Sequence, residues 1–124
     1  MANSGSLMIL IAGPYRSGTN DNTDLIAANV RNMTDTALDL YNLGHMPVLG
    51  EWFALPLIEA AGSTQIGDAI FNEIFHPLAV RLIDHCDAVL RIGGPSQGAD
   101  EMVRTGQSRG KIIFNHKEEI PIPV

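Results

Sequence analysis

The chain has one cysteine, Cys86, among its 124 residues. An intrachain disulfide is therefore impossible, which excludes the disulfide-stapled secreted classes and suits a reducing cytosol. Basic side chains are also scarce. Eight Lys and Arg stand against fourteen Asp and Glu, a formal net charge of −6. That balance lacks the basic footprint of a protein that binds nucleic-acid polymers. The apolar run at 7–12 is far shorter than the roughly 20 residues of a membrane-spanning helix. No Lys or Arg precedes it, so the charged start of a signal peptide is missing. The expectation is a cytoplasmic chain with no membrane partner. Repeats, low-complexity stretches and linkers are absent, which leaves one domain over 1–124, with MANSGS at 1–6 as a frayed end.

What is present alternates. LMILIAG at 7–13 reads as a strand buried on both faces and closed by Gly-Pro. A polar loop follows, and Asn22 or Thr23 caps a helix with Asp24 in its first turn. Ile26, Val30, Met33, Ala37 and Leu40 form one helical stripe, and Gly44 stands where a C-terminal glycine belongs. HMPVLG at 45–50 suits a second strand. The segment 51–75 is less regular: WFALPLIEAAG looks locally helical despite Pro56, 63–67 reads as a loop, and 68–75 as a short helix. Pro77 fits the first turn of a further helix with Leu78, Leu82, Ile83 and Cys86 inward. DAVLRIGG at 87–94 is a third strand. A loop then leads into a helix with Ala99, Met102, Val103 and Gly106 on one face and Gly110 at its end. KIIFN at 111–115 is a fourth strand, and the prolines of IPIPV bar the tail from a central strand.

Short apolar strands alternating with helices predict a three-layer α/β/α fold around a parallel sheet of four to five strands. Such sheets bind ligands beyond the carboxyl ends of their strands. Both glycine-rich loops, GPYRSGT and GGPSQGAD, fall at that edge, and each precedes a helix. The first is nearly a P-loop, but it lacks the lysine, and Thr19 directly follows Gly18. Its glycines and the helix N-terminus behind it favour an anion, and Arg16 offers a bidentate contact to phosphate. The competing reading is a strand-to-helix turn with a solvated arginine. In the second loop Ser96 offers a hydroxyl and Gly98 allows close approach, against ordinary turn chemistry. Glu51, in LGEW, sits at the same edge. With Trp52 and Phe53 it could contact a sugar hydroxyl or stack a base, or be a loop carboxylate beside core aromatics. Asp87, at a strand start, is expected to satisfy a backbone N–H, and Lys111 and Lys117 to be solvated. Cys86 reads as a small buried residue. His45, His76, His85 and His116 have no regular metal-ligand spacing, so no metal is expected.

AGPYRSG, DAVLRIGGPS, and S-x-G-A followed by a helix and GK together carry a resemblance. The chain resembles the nucleoside 2-deoxyribosyltransferase superfamily, which includes deoxynucleoside 5′-monophosphate N-glycosidases. The resemblance covers most of the chain, with 51–75 the weakest part. It implies a flavodoxin-like fold, no cofactor, a nucleoside or nucleotide ligand, a homo-oligomer, and cleavage or transfer of an N-glycosidic bond by a carboxylate nucleophile. Gly13, Tyr15, Arg16, Ser17 and Gly18 would line the first loop, and Arg16 and Ser96 would hold a 5′-phosphate. The family's nucleophilic glutamate, four residues beyond the loop glycine, falls on Met102 here. Glu101 lies one residue earlier, about 100° round the helix, and becomes the candidate nucleophile if the loop shifts by one residue. The family's catalytic aspartate falls on Ala79, which leaves His76 as the nearest polar candidate for a general acid. The alternative is a binding module that kept the pocket and lost its acids.

Overall fold

The computed structural model describes residues 5–123. In chain order the elements are β1 (Met8–Ala12), α1 (Thr23–Leu43), β2 (Met46–Val48), α2 (Gly50–Ala60), α3 (Ala69–Asp84), β3 (Ala88–Arg91), α4 (Gln97–Ser108) and β4 (Ile112–Phe114). A short 3₁₀ turn, Lys117–Glu119, follows. The strands form one parallel sheet in the order β2-β1-β3-β4, with Ile9 opposite Ala88 and Met8 opposite Met46. The four-stranded parallel sheet between helical layers is the expected α/β/α fold.

Alternation along the strands divides the core. Ile9, Ile11, Ala88 and Leu90 pack under α1 with Met33, Ala37 and Leu40. Leu10, Ala12, Val48 and Val89 face the other way, onto Ala79 and Ile83 of α3 and Ala99 and Met102 of α4. Both faces of the sheet are covered, so the strands read as unbroken apolar runs.

The ends of α1 match their sequence signals. Asn22 Oδ1 accepts from the N–H groups of Asp24 and Leu25 at 3.0 and 3.1 Å. Gly44 takes the left-handed conformation, φ 106°, and its N–H closes the last turn. Three expectations change. WFALPLIEAAG is helical as far as Ala60, as expected despite Pro56, but the helix begins at Gly50, so Glu51 belongs to its first turn and not to a loop. Trp52 and Phe53 are exposed rather than core. The break at Pro77 is absent: α3 runs unbroken through it. Its deeply buried side chains are Phe71, Ala79 and Ile83, whereas Leu78 and Leu82 are only partly covered.

Of the stretch expected to fray, 1–4 lie outside the described residues, while Ser6 Oγ donates to Gly44 O at 2.8 Å. Asp87 accepts the Met8 N–H at 2.8 Å, the backbone role expected of it. Lys117 pairs with Asp39, and Lys111 reaches the Asp84 carbonyl. Cys86 is buried, and burial pushes its thiol up to about 11. His45 is buried between both ends of the described chain. Its Nδ1 accepts the Leu7 N–H at 3.0 Å, and its Nε2 lies 2.7 Å from Pro121 O. Only the neutral ring carrying its proton on Nε2 satisfies both partners. No helix among the described residues is long and apolar enough to cross a membrane.

Candidate functional site

β1 and β3 are neighbours in the sheet, but their following segments leave toward opposite faces. A crevice opens where they part. There the structure holds a cleft of about 270 Å³. Its lining comes from four places: Gly13, Tyr15, Arg16 and Ser17 of the first glycine loop; Glu51 of α2; Phe71, Asn72, Phe75 and His76 of α3; and Gly98, Ala99 and Met102 of α4 with Ser96, the residue that caps it.

The first loop is a tied knot. The Arg16 carbonyl accepts from Thr19 N–H at 3.1 Å and from Thr19 Oγ1 at 2.6 Å. Thr19 Oγ1 in turn accepts from the Asp21 N–H at 3.1 Å. The threonine that made this loop look like a P-loop thus spends its hydroxyl on the loop itself. Asn20 and Asp21 are both left-handed, φ 50° and 58°, a conformation Asn and Asp tolerate better than most residues. That turn brings the Asp21 carboxylate onto the Nε/Nη2 edge of Arg16 at 2.8 and 2.9 Å. The pair lowers Asp21 below the usual carboxylate range and raises Arg16 further. The guanidinium also lies 5.5 Å from the centre of the Phe71 ring. Arg16 is therefore held in place, although about a third of its side chain stays exposed. Gly18 does not line the cleft. Its φ of 76° serves the turn, which corrects its place among the ligand-facing residues.

The second loop is braced by Arg91. This side chain donates to the carbonyls of Ile92 and Gly94 and pairs with Asp100 at 3.1 Å. Ser96 caps α4, its Oγ accepting the Ala99 N–H at 3.2 Å. The first-turn N–H groups of Gln97 and Gly98 precede any intrahelical acceptor, so this end attracts an anion. A Cβ built on Gly98 meets nothing within 4 Å. Gly98→Ala is accordingly expected to stabilise the fold by about 0.5–1 kcal/mol, measurable by thermal unfolding, while placing a methyl group on the cleft wall.

One wall is aromatic. Tyr15 stacks on Phe75 at 5.4 Å between centroids and Phe75 on Phe71 at 5.1 Å. Burial, with the nearby Glu51 carboxylate, raises the Tyr15 hydroxyl above its ordinary value.

Glu51 is the unusual group. It is only 3% exposed yet lines the cleft. Burial pushes its carboxyl up to about 7, opposed only by a hydrogen bond from its own backbone N–H. Among the described residues no cation pairs with it.

The sequence-derived nucleophile is elsewhere. Glu101 does not line the cleft. Its side chain is 39% exposed, with Oε2 3.7 Å from Nδ1 of His76. The Ser96 cap fixes the phase of α4, so Ala99, Met102 and Gly106 turn inward and Glu101 turns to the rim. Asp100 is occupied by Arg91. His76 is on the cleft, as are Gly13, Tyr15, Arg16, Ser17, Glu51, Ser96, Gly98 and Met102. Phe71, Asn72, Phe75 and Ala99 were not among the expected site residues. The Phe71–Phe75 spacing of four, one helical face, was the available signal. Among the described residues no group of three or more His, Cys, Asp or Glu side chains is placed to hold a metal ion. No protein-family model and no curated protein matches the chain.

Proposed function

We propose that this cleft binds a nucleoside 5′-monophosphate and hydrolyses its N-glycosidic bond, with Glu51 as the acid. The observation that carries this reading is one cleft combining a fixed arginine and an open helix N-terminus with an aromatic wall and a buried carboxyl that burial pushes up to about 7. The first two suit a phosphate, the wall suits a flat ring, and the last suits proton transfer near neutral pH. The resemblance to the nucleoside 2-deoxyribosyltransferase superfamily points the same way. In the proposed step Glu51 gives its proton to a ring nitrogen of the base as the C1′–N bond breaks. The bonding pair leaves with the base. Water adds to C1′, and its proton returns to the carboxylate. His76, backed by Glu101, is a second proton carrier on the same cleft.

A second reading has its own observation. The thioether of Met102 lines the cleft at the position where the resembling enzymes carry a glutamate, and it cannot attack a sugar. On that reading the protein binds the nucleotide without cleaving it.

The test is thermal stabilisation by a panel of nucleosides and 5′-monophosphates, with base release followed by chromatography. Arg16→Ala is expected to weaken monophosphate binding about 10- to 100-fold, the worth of a charge-assisted hydrogen bond. Glu51→Gln is expected to slow base release about 10²- to 10⁴-fold while binding persists. Stabilisation without base release favours the binding module. Failure of every monophosphate to stabilise the protein sinks both readings.

A further inference from the structure

Glu51 shares a cleft of about 270 Å³ with the groups that would hold a phosphate. Those groups are Arg16, Ser96 and the first turn of α4. The positive charge nearest to hand is already engaged, because Asp21 occupies the Nε/Nη2 edge of Arg16. Glu51 is 3% exposed, so little water screens it from a charge placed in the cleft. A phosphate dianion and a Glu51 carboxylate would then be two like charges lining one small cleft. Two such charges raise the cost of ionising the weaker acid.

We infer that a phosphate-bearing ligand enters this cleft together with a proton, and that the proton resides on the Glu51 carboxyl. The inference rests on the reading of the cleft as a phosphate site and deepens it. The ligand's own charge converts Glu51 into its acid form, the form the proposed cleavage needs. Protonation is thereby coupled to occupancy of the site.

The other titratable groups on the cleft are Tyr15 and Arg16 from the first loop and His76 from α3. Glu101 of α4 lies behind His76, and Asp100 is held by Arg91. Tyr15 is raised and stays protonated, and Arg16 stays charged. His76 is the rival acceptor of the proton, so the test must separate it from Glu51.

The probe is 2-deoxyribose 5-phosphate, which carries the phosphate and sugar but no bond for the protein to cleave. Its binding is followed by titration calorimetry at pH 8 in two buffers of different ionisation enthalpy. At that pH the phosphate is already a dianion, because its second pKa is about 6. Glu51, at about 7, is mostly ionised in the free protein. The proton must come from the buffer, and the two heats then differ. The expected result is uptake of about one proton by the wild type and by His76→Gln, and none by Glu51→Gln. Wild-type affinity should also fall about tenfold for each pH unit above neutrality, a measurement that needs no variant. Equal uptake by wild type and Glu51→Gln, or uptake lost in His76→Gln alone, overturns the inference. So does binding with no uptake, although the phosphate site itself then stands. If the sugar phosphate binds neither wild type nor Glu51→Gln, the site and the inference fall together.

Discussion

Replacing Glu51 by glutamine is expected to make the protein more stable at pH 8 by about 3 kcal/mol, and to change little below pH 4. The glutamate carboxyl ionises ordinarily at 4.5 and, in the folded chain, at about 7. Below 4.5 both states are protonated, and glutamine imitates the neutral acid. Between the two values the folded state holds a proton that the unfolded state has released. Stability therefore falls as pH rises through this window. Above 7 the native chain carries a buried, unpaired carboxylate. At about 1.4 kcal/mol for each tenfold difference in proton affinity, the full penalty is about 3 kcal/mol. Glutamine has nothing to ionise and escapes it. Denaturant unfolding of both proteins from pH 4 to 9 checks this. Parallel curves would mean that Glu51 is not the group whose burial matters.

The second large effect concerns two adjacent glycines. Gly93→Ala is expected to cost about 2–4 kcal/mol, and Gly94→Ala next to nothing. Gly93 has φ 78°, and a Cβ there would lie 2.6 Å from Cδ of Pro14. The left-handed backbone alone costs about 1–2 kcal/mol for a residue with a Cβ. The clash then forces either glycine loop off the other, because Pro14 belongs to the first and Gly93 to the second. Gly94 has no such φ, and its Cβ would meet nothing within 4 Å. Denaturation midpoints of the two variants separate backbone geometry from the mere loss of a glycine. If both lose stability equally, the contact between the loops is not what holds them.

Much of the layout was readable because it depends on local chemistry. Strands covered on both faces must be apolar throughout, so β1, β3 and their order with the helices stand out. Asn22 and Gly44 mark the ends of α1 through their own hydrogen bonds. Arg16 and Ser96 could be placed on one edge because the strands are parallel. The misreadings share a different cause. Pro77 lacks an N–H and looked like a helix start. Inside α3 it forfeits one backbone bond, but Phe71 on one side and Ala79 and Ile83 on the other anchor both halves. That anchoring is tertiary and leaves no local mark. Glu51 is similar. Its depth follows from the close packing of α2 on α3, where Gly50 comes against Ala79. Glu101 was expected in the cleft and lies one residue away from the inward-facing Met102. One step is 100° of helix, and the capping bond from Ser96 sets which residue faces in.

The proline within α3 also divides that helix by what each half touches. Phe71, Asn72, Phe75 and His76, which line the cleft, all precede Pro77. Ala79 and Ile83, which hold the helix to the sheet, follow it. The Glu73 carbonyl is the one that would have bonded residue 77. Cooperativity along the helix is weakest at that joint. The residues before the joint wall the cleft and pack on Ala54 and Ile58, while those after it pack on the sheet, so a single helix serves two separate cores.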